Sequence, residues 1–251
     1  MKIAAVCCTF LRPEQLGHLI QCFLKQDYPA RKRELVILDD AGQYDSQQGD
    51  GWRLISTNQR YDTLGEKRNA ATALVADDVE AVSVWDDDDL YLPWALRTSV
   101  EALKVAPWSR PSVVLHPEED GSLRQHETLG LFHGGWAYSL EVFTRVGGYP
   151  PMNNGEDQGL ALRFSLAGVE YADPIQLEPM PFYVYSWGSA NGWHLSGMGP
   201  DGYHELQKRL DDHQRQFSAQ RTKKVRLVIK DPPHLDLQCP RVLPGVHPRK
   251  F

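Results

Sequence analysis

Apolar residues fall along this chain in two alternating rhythms. Continuous runs at 2–8 (KIAAVCC), 33–40 (RELVILDD) and 80–87 (EAVSVWDD), with a shorter one at 52–58 (WRLISTN), have the length of strands buried on both faces. Between them, RPEQLGHLIQCFLKQ carries Leu16, Leu19, Ile20, Phe23 and Leu24 at helical spacing. LGEKRNAATALVADD and PWALRTSVEALKV predict two more helices. Strands alternating with helices predict an α/β fold: a mostly parallel, Rossmann-like central sheet with helices on both faces. Such sheets bind ligands at the carboxyl ends of their strands. Thr9, Asp39-Asp40 and Asp86 to Asp89 stand at three predicted strand ends, so this polar chemistry gathers on one edge.

The second half has a different rhythm. Residues 111–139 predict short strands and turns, and EVFTRVGGY predicts a short helix with a glycine stop. GEDQGLALRFSLAG predicts a helix closed by Gly168, MPFYVYSWGSANGWHLSG an aromatic strand and loop, and DGYHELQKRLDDHQRQF a further helix. There is no internal repeat. The simplest organisation is one domain over 1–217, with a first half at 1–105 and a mixed second half at 106–217, followed by an extension at 218–251.

Charge sharpens that boundary. The net charge of −6 conceals eight Lys/Arg against two Asp in residues 218–251, which also hold five prolines. The extension reads as a solvated strap over the body, or as a contact for an anionic surface or partner. No apolar run reaches the roughly 20 residues that cross a bilayer. The start MKIAAVCCTFLRPE is broken by Arg12-Pro13, and the expected location is the cytoplasm. The four cysteines form no CxxC pair, which argues against a zinc site or a disulfide framework.

Four adjacent aspartates framed by buried-looking residues pose an electrostatic problem, because each carboxylate raises the cost of ionising the next. A divalent ion relieves it. Clustered oxygen ligands suit Mg2+ or Mn2+, which bridge to phosphate oxygens. In GEKRN, Lys67 and Arg68 open a helix, where cations oppose the dipole and call for a counter-anion such as a diphosphate. Glu156 and Asp157 open another helix; they either complement its dipole or take a proton from an attacking hydroxyl. Trp136 and Trp193 are candidates for stacking on a sugar or acceptor. GMGPDG fits G-x-G-x-x-G but follows no strand and contains Pro200, so it reads as a loop rather than a dinucleotide fingerprint.

Six segments occur in a familiar order: CTFLRPEQL, LVILDDAG, GEKRNAA, VWDDDDLYLP, GGY and NNGEDQGLALR. Over residues 3 to about 196 the chain resembles the family 2 glycosyltransferases of GT-A fold. The resemblance implies inverting transfer of a sugar from a nucleotide diphosphate donor. It implies that Asp157 is the catalytic base, with Glu156 beside it. Thr9 and Asp40 would meet the nucleobase, which favours uracil and hence a UDP-sugar. Arg68, with Lys67 next to it, would meet the diphosphate. The run WDDDDLYLP matches D-x-D: Asp88 would hold the metal, Asp86 is the first acid, and Asp87 would face the ribose or metal. His194 would be a late metal ligand. Two rivals stand beside this reading: a nucleotidyltransferase, whose glycine-rich basic loop is missing from TFLRPE, and a sugar-nucleotide or glycan-binding module without chemistry.

Overall fold

The computed structural model describes residues 1–118, 120–186, 224–233 and 235–243. Its first half runs β1 (Ile3–Thr9), α1 (Pro13–Leu24), β2 (Arg33–Asp39), β3 (Gln47–Gly49), β4 (Trp52–Ser56), α2 (Leu64–Thr72), β5 (Ala81–Asp86), β6 (Leu90–Tyr91) and α3 (Ala95–Leu103). The second half adds β7 (Trp108–Ser109), β8 (Val113–Pro117), β9 (Leu123–Glu127), β10 (Ala137–Ser139), α4 (Leu140–Arg145), α5 (Glu156–Leu166), β11 (Tyr171–Ala172), α6 (Pro174–Leu177), β12 (Tyr183–Val184) and β13 (Val242–Leu243).

The larger sheet has the order β11-β7-β10-β5-β1-β2-β4-β3. Its centre, β5-β1-β2-β4, is parallel throughout, as the apolar runs predict. From β1 the chain steps outward through β2 to β4, then returns to place β5 on the other side of β1. That reversal puts the switch-point crevice at the ends of β1 and β5. Alternate residues of β1 divide the core: Ile3, Ala5 and Cys7 pack with α1 and α3, while Ala4 and Val6 pack with the side chains of α4 and α5.

The smaller sheet, β13-β9-β8-β12-β6, is less visible in the sequence because three of its strands have two residues each. Its position matters for the site. The chain leaves the first sheet at Asp86 and enters the second at Leu90, so the acidic turn is the joint between the two sheets.

The basic extension is not a loose strap over the residues described. Val225, Leu227, Leu235 and Val242 pack against the main core, Leu237 is buried, and β13 pairs in parallel with β9. Gly17 shows how closely it docks on α1: a Cβ there would lie 2.0 Å from the Val228 carbonyl oxygen. Gly17→Ala should therefore loosen this segment, even though alanine favours a helix interior by about 1 kcal/mol. Trypsin should cut at Lys224, Arg226 and Lys230 several-fold faster in the variant than in the wild type, as followed by mass spectrometry.

Candidate functional site

The site grows from the carboxyl edge of the first sheet. Asp86 ends β5, and the three acids after it turn alternately inward and outward. Asp87 and Asp89 are buried, whereas Asp86 and Asp88 are partly exposed. Asp89 accepts hydrogen bonds from the Tyr183 hydroxyl (2.5 Å) and the Ser186 amide (3.0 Å), which fixes the turn to β12. Asp87 accepts from the Thr9 hydroxyl (2.6 Å) and from Arg12 (2.8 Å). Four consecutive acids allow two D-x-D registers, Asp86-x-Asp88 and Asp87-x-Asp89, and they are unequal: burial leaves Asp86-x-Asp88 as the partly exposed pair.

The repulsion among these acids is answered within the chain. The Arg12 Nη1 bridges Asp87 and Asp88, at 2.8 and 2.7 Å. Arg68 donates to Asp86 (3.1 Å) with Nη2 and to Glu156 (3.2 Å) with Nε. Burial opposes the charge on both guanidiniums, but their carboxylate partners outweigh it and hold both firmly protonated. The sequence signalled the acids and the helix-opening cations separately, each apparently lacking a partner; in the fold they partly satisfy each other.

Lys67 is buried. It donates to the Thr9 carbonyl (2.6 Å) and pairs with Asp40, whose other oxygen is held by Arg60. Burial pushes Asp40 up, but Lys67 and Arg60 together bring its carboxyl below the usual range. Lys67 is therefore committed to the β1–β2 edge, a correction to its expected diphosphate role. Thr9 and Asp40 are equally enclosed, so a nucleobase meeting Asp40 has to displace Arg60, which is exposed and lies 3.9 Å above the Phe10 ring. Neighbouring Asp39 anchors the turn instead, accepting from Ala41 N, Gln43 N and the Ser56 hydroxyl; burial raises its pKa.

The second half joins at α2. Thr63 and Glu66 form a capping box that starts this helix. One turn on, Asn69 grips the Tyr149 backbone like a strand neighbour: its Oδ1 accepts from Tyr149 N (2.8 Å) and its Nδ2 donates to Tyr149 O (2.9 Å). Gly148, at φ 65°, makes room, since a Cβ there would lie 2.5 Å from that Oδ1. This contact delivers the loop leading to Gly155, which caps α5 at φ 77°. Glu156 then turns inward to Arg68, and burial raises its pKa despite that cation. Asp157 is half-exposed at the helix start and accepts from the Gln158 amide (2.7 Å).

Sequence reading missed Arg12, Arg60 and a buried chain behind the site. The His133 Nε2 meets the Tyr149 hydroxyl (3.1 Å), which meets the Tyr138 hydroxyl (3.0 Å). Burial and the nearby Arg68 lower the His133 pKa to about 4. A lone HGG in the sequence gave no sign of this. Trp136, expected at an acceptor pocket, has no exposed surface. It packs edge-on against Trp108 (5.3 Å) and His133 (5.1 Å), as a large apolar ring does when the core has room for it. Trp193 and His194 lie outside the described residues.

Asp86 and Asp88 are the residues suited to a divalent ion. Among the described residues, no group of three or more His, Cys, Asp or Glu side chains gathers to hold a metal alone. Nor, among them, is any helix long and apolar enough to cross a membrane.

No protein-family model matches the chain, and no curated protein does. Solved structures do. A mannosyltransferase from Pyrobaculum calidifontis, PcManGT, in complex with GDP-Man and Mn2+, superposes with a TM-score of 0.55 at 18% identity over 93% of this chain. TarS 1-349 of S. aureus in complex with UDP-GlcNAc gives 0.54 at 14% identity over 85%, and its complex with UDP gives 0.55 at 14% over 85%. This chain covers 65–66% of the length of these three, just under two thirds. At such identities the likeness shows the fold, which is the GT-A fold expected from the resemblance.

The buried imidazole has a consequence for acid stability. A pKa that drops from 6.5 to about 4 on folding means that the unfolded chain alone binds the proton in between. Stability is unaffected above pH 6.5 and is lost as pH falls toward 4. Between pH 7 and pH 5 the wild type should lose about 1–2 kcal/mol more than His133→Gln, measured by urea unfolding.

Proposed function

We propose that this chain transfers a sugar from a nucleotide diphosphate sugar, a UDP-sugar in the first instance, to an acceptor hydroxyl with inversion. The observation that carries the reading is the Arg68 bridge. One guanidinium joins the last acid of β5 to the first residue of α5, so an arginine suited to a diphosphate lies between Asp86 and the helix that bears Asp157. The solved relatives holding UDP, UDP-GlcNAc and GDP-Man support the donor class.

Asp157 is the base in this reading. It stands half-exposed at a helix start, takes the acceptor proton, and leaves the oxygen to attack the anomeric carbon from the face opposite the diphosphate. Glu156 keeps Arg68 in place, and Arg68 neutralises the departing phosphates. The donor set fits Mg2+ or Mn2+ in kind. Asp86 to Asp89 and Glu156 are five carboxylates against two guanidiniums, Arg12 and Arg68, and the surplus is negative. Asp86 and Asp88 would hold the ion, with His194 as a further ligand. When bound, it would stabilise negative charge on the leaving diphosphate. Trp193 remains the proposed acceptor contact. Any contact of the basic extension with an anionic partner belongs to the same proposal.

The test is nucleotide release from UDP-sugars by the purified protein with Mn2+. Release of UDP supports sugar transfer; release of pyrophosphate when UTP and a sugar 1-phosphate are supplied instead would replace it with nucleotidyl transfer. Asp157→Asn should lower turnover by about 10²–10⁴-fold while leaving the melting temperature within about a degree of the wild type. Near-normal turnover in that variant would remove Asp157 from the role.

A further inference from the structure

We infer that Arg12 is a resident counter-cation that competes with the divalent ion for Asp88 and so sets the protein's metal affinity. The inference rests on the metal-assisted reading above and adds a role that neither the acidic run nor the relatives assign.

Three observations converge on it. The Arg12 side chain is 11% exposed, and one nitrogen, Nη1, contacts both Asp87 Oδ1 and Asp88 Oδ2. It is thus placed between two acids, rather than paired fork-to-fork with one. Helix capping does not account for the placement of the side chain. Arg12 is the N-cap residue of α1, yet it makes no side-chain cap, and Pro13 already starts the helix. The backbone that delivers it is strained: Leu11, at φ 57°, occupies the left-handed region that a leucine rarely adopts. Such strain persists where the surrounding structure fixes it, and here the tight turn from β1 into α1 lays the next side chain across the acids.

The competition follows from charge. Asp88 Oδ2 is bonded to a guanidinium, and an ion held by Asp86 and Asp88 would sit a few ångströms from that positive group. Like charges so close in a partly buried site repel strongly. Binding the ion therefore requires Arg12 to give up its Asp88 contact, while Asp87 keeps its bond from Thr9. Without the ion, Arg12 keeps the turn folded; with it, the ion takes over that work. Arg68 does not substitute for Arg12, because its Nη2 and Nε reach Asp86 and Glu156 rather than Asp88.

The experiment uses the full chain and Mn2+ alone, with no donor. Free Mn2+ is followed by electron paramagnetic resonance during titration, and thermal unfolding is recorded in EDTA and in Mn2+. Arg12→Gln should bind Mn2+ about tenfold more tightly than the wild type. It should also melt lower in EDTA and gain more from Mn2+. Arg12→Lys should fall between, because an ammonium keeps the charge as a compact point without the planar fork. A glutamine variant that folds only with Mn2+ also supports the inference; if it folds in neither condition, the lysine variant decides. Equal Mn2+ affinity in all folded proteins overturns the role of Arg12 and leaves the metal-assisted reading intact. Mn2+ bound by none of them overturns both. In an Arg12→Gln/Asp88→Asn double variant the gain should vanish; persistence would place the ion elsewhere and overturn the competition.

Discussion

The architecture of the site depends on one constraint: carboxylates brought to the end of a sheet must each meet a positive group or a hydrogen-bond donor from a different element. Arg12 ties the β1–α1 turn to the end of β5, Lys67 ties α2 to β1 and β2, and Arg68 ties α2 to both β5 and α5. Breaking a buried pair of this kind leaves an uncompensated charge at a cost of about 3–5 kcal/mol, although replacing both partners with apolar groups is often neutral. The pairs therefore contribute position more than net stability. They hold five structural elements in register about a crevice that stays polar.

That crevice is also where the chain changes sheets. The turn carrying the acids links β5 of the large sheet to β6 of the small one, and Asp89 fastens it through Tyr183. Tyr91, in β6, stacks on Trp85 of β5 at 4.1 Å and lies 5.5 Å from Tyr183, so aromatic packing backs the turn on its dry side. One face of the joint is made of rings and the other of charge. Displacing either moves both sheets.

Much of this was legible in the sequence. The apolar runs ending in Thr9, Asp39-Asp40 and Asp86 placed three polar strand ends on one edge, and the parallel sheet confirms the placement. The helices around Leu16–Phe23 and Ala95–Leu103 followed from spacing alone. What could not be read was who pairs with whom. The sequence offers no sign that Arg12, far from the acids in the chain, crosses to them, because the approach is set by an unusual backbone angle at Leu11. Trp136 misled for a related reason: an aromatic beside two glycines looks the same whether it faces a ligand or fills a core. Short strands in the second half were legible, but their union into a second sheet was not, because β6, β12 and β13 have two residues each and no periodicity to detect.

The parallel pairing of Val242–Leu243 with Leu123–Arg124 carries a consequence for how the molecule is made. A growing chain emerges at about 5–20 residues per second, and its first half, with all four central parallel strands, is out long before the last strand exists. Those central strands can pair early, since each neighbour in β1, β2, β4 and β5 lies within the first 86 residues. The small sheet has to wait, its edge at β9 open until some 120 later residues arrive. Synthesis thus imposes an order on assembly: the parallel centre of the large sheet first, and the full second sheet only once β13 has emerged.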